Sequence, residues 1–373
     1  MKISFQRITS SGSFIPKIDG LRFIAILSVI LYHLSGFILK KDHNVYIDSL
    51  NYNFIKELLS RGYIGVPLFF TISGFILGMP FAKTYILNEK RVSLKKYFFR
   101  RITRLEPPYI LVMFLLLIGS VYFARVITIR NGLISLICSI FYCHNFFYPG
   151  QLPFLNCVAW SLEIEVQFYI LAPLLANLFS IKSVYTRRLT ICLICIVSIF
   201  VNYFFNFHFK SLLNYLHYFL IGFLLVDLFL SKKTIFKKSK FDNLIAVPIF
   251  MFIWVFKDGH AKYLDLFQLA SIFLFYYYVL LHNVFDILRY KLITNIGGMC
   301  YTIYLIHFQL ISLFGNPLLR IKFSNYSFLN IPIYAVILII FVMVISAVFF
   351  LVIERPCMEK DWYKKIIFIK GKV

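Results

Sequence analysis

The feature that most constrains the fold is a succession of ten apolar segments, each about 20 residues long. An α-helix of that length crosses the ~30 Å hydrocarbon core of a membrane, and helices satisfy their own backbone hydrogen bonds there. With 60% hydrophobic residues and a mean hydropathy of +0.80, the chain is predicted to be an all-α, polytopic membrane protein. The predicted spans are 20–39, 63–82, 108–128, 158–180, 189–206, 211–230, 242–256, 263–282, 296–316 and 331–353.

The basic residues predict that both termini are cytoplasmic. With the N-terminus inside, 28 of the 39 lysines and arginines fall in inside segments, as the positive-inside rule requires. The short apolar segment 131–143 would reverse every later loop if it crossed, so we expect a re-entrant or interfacial helix there. The first apolar segment is long enough to remain as a span rather than a cleaved signal. We expect a single membrane domain over residues 1–373, in which 354–373 form a basic cytoplasmic tail.

Charge and motif content argue against several other classes of protein. A net charge of +23 would indicate nucleic acid in a soluble protein, but here the basic residues lie in loops and orient the chain, so no nucleic-acid partner is expected. Nucleotide-binding glycine motifs and metal-ligand spacings do not occur, so neither nucleotide hydrolysis nor a metal is expected. The cysteines form no framework, and a disulfide among Cys138, Cys143 and Cys157 is left open.

Arg22 and His33 lie in the first apolar segment, where ionisable side chains are costly and indicate function. Their separation of eleven residues is about three helical turns, so both side chains face the same way, roughly 16 Å apart along the axis. This face suits a reaction that receives a charged, elongated donor from one side of the membrane. A buried structural ion pair is the alternative.

A carboxylate of the fourth segment is predicted to reach the depth of His33. His33 lies roughly 20 Å from the cytoplasmic start of its helix, and Glu165 lies roughly 10 Å from the opposite end of its own. At a common level, Glu165 would orient the imidazole and hold its tautomer. Glu163 points to a different side of the helix because it is two residues away, and its role is left open.

Two other regions supply candidate binding residues. Ser73 and Gly74 are small and allow close helix contact, so packing explains them about as well as catalysis. Arg101 and Arg104 lie one helical turn apart at a predicted cytosolic surface, where paired guanidinium groups bind phosphate. The alternative for this basic loop is contact with lipid headgroups.

The ninth segment contains Tyr301 and His307, and His307 is predicted to lie near mid-membrane. It would line the same cavity as His33, or it would be a hydrogen-bonded structural histidine. The other histidines lie near span ends or in loops and receive no role.

Six blocks in order resemble the acyltransferase-3 family of integral membrane acyltransferases. Arg22 and His33, with ten residues between them, look like its first-helix motif, and Arg100, Arg101 and Arg104 look like its arginine-rich loop. Glu106 is a variation within that loop. The blocks are residues 19–33, 69–75, 100–109, 160–169, 301–307 and 354–356, within a resemblance that covers 18–356.

This resemblance implies a ten-helix fold in a bacterial cytoplasmic (inner) membrane, in contact with lipid. It also implies an O-acyltransferase that uses cytoplasmic acetyl-CoA, or a related acyl-CoA, and a sugar hydroxyl of a surface or exported glycan. The acceptor is left open among lipopolysaccharide O-antigen, capsule, exopolysaccharide, peptidoglycan and a lipid-linked sugar. Many members carry an extracytoplasmic SGNH domain, which we expect this chain to lack. A separate extracytoplasmic partner would then finish the transfer, or the acceptor would be met in the membrane.

The residues and the resemblance together suggest a mechanism. Arg101 and Arg104, with Arg22 and the neighbouring Arg100, would hold the phosphates of coenzyme A. His33 would act as general base or as a transient acyl carrier, and Glu165 would orient it. The thioester carbonyl would be polarised by Ser73, Tyr301 or His307. A proton-coupled transporter of a glycan precursor is the rival, disfavoured because the sequence shows no inverted repeat.

Overall fold

The computed structural model describes residues 5–8, 14–41, 57, 59–205, 207, 209–232, 234–255, 264–324 and 327–363. Every regular element in these ranges is a helix, so the all-α prediction is confirmed. The longer helices are α1 (Pro16–Lys41), α2 (Gly65–Ile86), α3 (Leu94–Ile118), α4 (Ile129–Ile140), α5 (Trp160–Leu175), α6 (Val184–Phe204), α7 (Leu212–Ser231), α8 (Asp242–Ile253), α9 (Leu264–Tyr277), α10 (Lys291–Gly298), α11 (Cys300–Leu318) and α12 (Ser327–Phe349).

Eight helical segments of the described chain are long and apolar enough to cross a membrane. They are Pro16–Ile38, Arg61–Ile86, Leu94–Phe123, Cys157–Ser180, Val184–Phe204, Leu212–Ser231, Leu264–His282 and Leu329–Cys357. A ninth exists if α10 and α11, which meet at a bend of 73°, form one broken span. The count of ten and the cytoplasmic placement of both termini stay predictions.

The structure differs from the predicted spans at two places. Within the described residues of segment 242–256, the only helix is the 12-residue α8. The amides of Trp254 and Val255 donate hydrogen bonds to the carbonyls three residues before them, and these tighter bonds end the helix. The segment 296–316 is broken after Gly298, where the Met299 amide bonds to the carbonyls of Asn295 and Ile296. The short segment expected at 131–143 is the 12-residue helix α4.

The described chain divides into two compact units. The first comprises described residues among 1–65, 99–128 and 290–373. Within it, α1 packs against α10 and α11, and α11 packs against α12. Gly297 lies so close to α1 that an added methyl group would overlap the Asp19 carbonyl oxygen. Only glycine allows this approach, which holds the start of α1 beside the break between α10 and α11.

The second unit comprises described residues among 66–98 and 129–289. Its centre is an aromatic stack in which the Phe219 ring lies 4.1 Å from that of Phe168 and 4.7 Å from that of Phe70, between ring centroids. Around this stack α6 packs against α7, and α8 packs against α9. All seven cysteines are free, including Cys138, Cys143 and Cys157.

A buried ion cluster joins α6 to α7 in the second unit. The Asp227 carboxylate is fully buried and accepts hydrogen bonds from Nε of Arg187 at 2.5 Å and Nε of Arg188 at 2.7 Å. Arg187 also donates to the Ile181 carbonyl, and Arg188 to the Ser231 hydroxyl. The sequence-based interpretation assigned Arg187 and Arg188 to topology alone and did not consider Asp227.

Replacing Gly74 by alanine is expected to destabilise the second unit by about 1–3 kcal/mol, because the new methyl group would overlap the Phe219 backbone carbonyl. Thermal denaturation of the detergent-solubilised protein measures the effect. Gly36→Ala is the control, since nothing lies within 4 Å of the added methyl group and alanine favours a helix. Equal melting temperatures for the two variants would contradict the close approach.

Candidate active site

A buried carboxylate organises the start of α1 in the first unit. Nη1 of Arg22 donates to Oδ1 of Asp19 at 2.8 Å, and Nε of Arg7 lies 2.7 Å from the same oxygen. The Asp19 side chain is 1% exposed, while those of Arg7 and Arg22 are 9% and 14% exposed. Arg22 therefore shares the Asp19 carboxylate with Arg7, an arrangement that we call the Arg22 clamp. The clamp fixes the position of Arg22 on the predicted functional face of α1.

Arg7 also interacts electrostatically with a third arginine, Arg104. Burial, together with the positive charges of Arg22 and Arg104, lowers the pKa of Arg7 to about 10, against the attraction of Asp19. Arg7 still carries its charge at neutral pH. Arg7 therefore interacts with both Arg22 and Arg104 at the base of α1, where like charges repel one another.

Glu354, which follows α12 in the chain, lies in the same region and contacts the first turn of α11. Its Oε2 accepts hydrogen bonds from the backbone amide of Thr302 at 3.1 Å and from the Thr302 hydroxyl at 2.5 Å. Glu354 is fully buried and interacts electrostatically with Arg104 and Arg22. A carboxylate at this helix N-terminus is favourable because it faces unpaired amides and the positive end of the helix dipole.

The arginine-rich loop forms the first part of α3. Arg100 is exposed, whereas Arg101 and Arg104 are half-buried and lie one turn apart, as expected. Nε of Arg104 is buried and has no hydrogen-bond partner in the described part of the chain. Arg104 therefore keeps capacity for a ligand. The Tyr301 hydroxyl donates to the Leu105 carbonyl at 2.8 Å, which ties α11 to α3.

His33 lies three turns above Arg22 on the continuous helix α1. Its imidazole is half-buried, and its ring centroid lies 5.1 Å from that of Tyr32 and 5.2 Å from that of Phe308. A partly exposed imidazole between aromatic rings is oriented but still reachable by a substrate. This placement supports the predicted role as base or acyl carrier.

His307 lies beside His33, with ring centroids 5.2 Å apart. It is fully buried, and its Nδ1 lies 3.0 Å from the Ile303 carbonyl oxygen and 2.9 Å from that of Tyr304. His307 therefore lies beside His33 within one unit, and it also makes the backbone hydrogen bonds that the structural alternative predicts. The catalytic and binding roles of both histidines stay predictions.

Ser73 and Glu165 form a pair in the second unit. The Ser73 hydroxyl donates a hydrogen bond to Oε1 of Glu165. Beside Ser73, Gly74 packs against the backbone of α7, as small residues at a helix contact predict. The proton of Ser73 is engaged by Glu165, so this serine orients the carboxylate. That Glu165 meets His33 stays a prediction.

Glu163 binds a different partner from Glu165, on the other side of α5. Both of its oxygens accept a hydrogen bond from the Asn145 backbone amide at 3.1 Å, at the start of the short helix His144–Phe147. The Asn145 side chain donates to the Trp160 carbonyl. Glu163 therefore holds a loop, and the expected division between Glu163 and Glu165 is confirmed.

The sequence interpretation gave no site role to Asp19, Glu354 or Arg7, although Asp19 and Glu354 lie in the blocks that carry the family resemblance. Asp19 also had a local signal, since an acidic residue three positions before an arginine predicts an ion pair on a helix. Arg7 had none, because its partner Asp19 lies twelve residues away. The geometry brings together Arg22, Arg104, Tyr301, His33 and His307 within the first unit.

Comparison with known proteins finds an acyltransferase family and relatives that are named O-acetyltransferases. Residues 15–351 match a protein family described as an acyltransferase domain. The O-acetyltransferase OatA of Staphylococcus aureus strain NCTC 8325 is 26% identical over 405 residues, covering 99% of this chain and 61% of OatA. YrhL of Bacillus subtilis strain 168, named as a candidate peptidoglycan O-acetyltransferase, is 31% identical over 206 residues, covering 52% of this chain and 28% of YrhL. The chain thus spans about three-fifths of the length of the first of these relatives. No solved structure matches.

Proposed function

Because this chain belongs to the family of acyltransferase domains that matches residues 15–351, we propose that it transfers an acetyl group from acetyl-CoA to a sugar hydroxyl of a bacterial surface glycan. We place it in the cytoplasmic membrane, where the donor meets one face and the glycan the other. One observation carries the proposal: the continuous helix α1 joins a buried arginine cluster, which holds Arg22, to the partly exposed imidazole of His33.

The arginine cluster suits the phosphates of coenzyme A. Arg7, Arg22 and Arg104 interact there with the carboxylates of Asp19 and Glu354, which leaves one positive charge in excess. Arg104 contributes a buried Nε without a partner among the described residues, and guanidinium groups bind phosphate through charge-assisted hydrogen bonds. Arg100 and Arg101, on the same helix, extend the positive charge toward the exposed surface.

The distance along α1 suits the rest of the donor. Arg22 and His33 are separated by roughly 16 Å along the helix axis, a length comparable to that of the pantetheine arm. With its phosphates at the arginine cluster, acetyl-CoA would present the thioester carbonyl at His33. The imidazole would then take the proton of the acceptor hydroxyl, or carry the acetyl group itself.

The acceptor is proposed from the relatives. OatA is named an O-acetyltransferase and YrhL a candidate for peptidoglycan, so peptidoglycan is the first glycan to test. O-antigen and other polysaccharides, free or lipid-linked, come next. A hydroxyl that enters the membrane reacts at His33 directly; otherwise a separate extracytoplasmic protein takes over the acetyl group.

The test is mass analysis of the surface glycans of cells that express or lack this protein. We expect the mass of one acetyl group on a defined sugar only when the protein is present, and its loss on mild alkaline hydrolysis. Identical glycans in both strains, with the protein shown to be in the membrane, would overturn the proposed acceptor class. Coenzyme A release from acetyl-CoA in vesicles tests the donor independently.

Replacing Arg104 by glutamine is expected to raise the KM for acetyl-CoA by roughly 10- to 100-fold, the effect of one charge-assisted hydrogen bond, with a smaller change in kcat. Steady-state coenzyme A release measures both constants. Lys95→Gln removes an exposed positive charge of the same helix and is the control. Equal changes in KM for the two variants would mean that general surface charge, and not a phosphate site, attracts the donor.

A further inference from the structure

Two imidazoles lie side by side between α1 and α11. The His33 and His307 ring centroids are 5.2 Å apart at an interplanar angle of 50°. The rings of Tyr32 and Phe308 flank His33, while that of Tyr304 lies 5.9 Å from His307. His33 is half-buried and reachable, whereas His307 is fully buried, so the two rings cannot play the same part.

The hydrogen bonds of His307 define its tautomer. Its Nδ1 faces two backbone carbonyl oxygens, of Ile303 at 3.0 Å and of Tyr304 at 2.9 Å. Carbonyl oxygens only accept, so Nδ1 carries the proton. A neutral imidazole has one N–H, which leaves Nε2 as a bare acceptor. In the described part of the chain Nε2 is buried and has no hydrogen-bond partner, so it can accept one.

We propose that Nε2 of His307 accepts a hydrogen bond from a ring N–H of His33 during the reaction, and so positions the imidazole that acts on the acceptor. This inference rests on the proposed acetyl transfer. Among the described residues Nε2 of His307 has no hydrogen-bond partner, so the contact requires His33 to turn, which its soft terminal torsion allows. If two ring nitrogens faced each other, each roughly 1.1 Å from its centroid, the observed centroid separation would leave about 3 Å between them, a hydrogen-bond distance.

The hydrogen bond would select the reactive tautomer of His33. With one ring nitrogen donating to His307, the other nitrogen of His33 is bare and takes the proton of the acceptor hydroxyl. The hydroxyl oxygen forms a bond to the thioester carbonyl carbon, the carbon–sulfur bond breaks, and the departing thiolate takes that proton from His33. The products are the acetyl ester and coenzyme A, and both histidines end as they began.

While the imidazole carries the proton taken from the acceptor, the positive charge stays on His33 and does not pass to His307. A full positive charge on the fully buried His307 would be costly, whereas His33 has access to the substrate. His307 is therefore a positioning residue that acts through His33. It also differs from the thioester-polarising role predicted for it, because a bare nitrogen cannot donate a hydrogen bond to a carbonyl.

The experiment compares two substitutions of His307 in the full chain, by coenzyme A release from acetyl-CoA in membrane vesicles of the expressing cells. His307→Asn keeps a donor near the position of Nδ1 and removes the Nε2 acceptor. His307→Gln places an amide oxygen near the position of Nε2. We expect kcat to fall roughly 10- to 100-fold in H307N with KM within about twofold, and H307Q to be at least ~10-fold faster than H307N.

The control is His217→Asn. His217 is another buried helical histidine, in α7, whose two ring nitrogens have no hydrogen-bond partner among described residues. It has no place in the proposed chemistry, so H217N is expected to keep the wild-type kcat and KM. Immunoblots of the vesicles and thermal denaturation show whether each variant accumulates and folds.

Any one of four results would overturn the inference. The kcat of H307N could lie within about threefold of the wild-type value, or H307Q could be no faster than H307N. The H307N substitution could change KM alone, or H217N could lose as much kcat as H307N. If H307N does not accumulate, H307Q decides, and a kcat below one-tenth of wild type overturns the role. Wild-type protein that releases no more coenzyme A than His33→Ala would instead refute the proposed function. An active wild type with an inactive H33A and an unaffected H307N would refute this inference alone.

Discussion

The His33→Ala protein is expected to release coenzyme A from acetyl-CoA at least ~100-fold more slowly than wild type, the usual contribution of a general base. The same loss follows if His33 carries the acetyl group, because alanine offers no nucleophile. The imidazole is the reachable partner of the His33–His307 pair and lies three turns from the Arg22 clamp. Activity is measured in membrane vesicles, and glycan acetylation in the same cells.

Binding of the donor should survive this change, because the arginine cluster does not involve His33. Coenzyme A, added as an inhibitor or as a ligand in thermal denaturation, should therefore act on H33A as on the wild type. His217→Ala controls for the loss of a buried imidazole. An H33A protein that keeps its activity would remove His33 from the centre of the mechanism. A quenched single turnover with labelled acetyl-CoA separates the two roles, since only an acyl carrier leaves label on the wild-type protein.

The Asp227→Ala protein is expected to lose about 3–5 kcal/mol of stability in the second unit, because the buried Arg187 and the half-buried Arg188 would be left without their carboxylate. Asp227 is fully buried and bonds to both Arg187 and Arg188. None of the three takes part in the proposed chemistry. The effect should therefore appear as a lower melting temperature and lower accumulation in the membrane, measured on the detergent-solubilised protein.

Asp286→Ala is the matched control, because it also removes an aspartate that is paired with an arginine. The side chains of Asp286 and Arg289 are 75% and 48% exposed and lie 3.5 Å apart, so water replaces the lost partner at little cost. Changing Asp227, Arg187 and Arg188 together to apolar residues should recover much of the stability. If D286A were as destabilised as D227A, burial would not be the cause.

Features that depend on local order were predictable from the sequence. Apolar segments of about 20 residues can only be helices in lipid, and the structure places helices in all ten predicted segments. The spacing of Arg22 and His33 predicts one shared face, and α1 runs without a break through both. The two-residue offset of Glu163 and Glu165 predicts different sides of α5, and their partners, Asn145 and Ser73, differ accordingly.

The sequence alone determined that this chain is a bundle of membrane helices with an arginine and a histidine aligned on the first of them, because helical periodicity and the cost of charge in lipid are local rules. Only the tertiary structure decided that Arg7 shares Asp19 with Arg22, that Glu354 binds Thr302, and that the His307 ring lies beside that of His33. Apart from the local Asp19–Arg22 pair, these contacts join residues of separate segments. Which remote groups meet depends on how helices pack and where they break, and no periodicity within one segment records that.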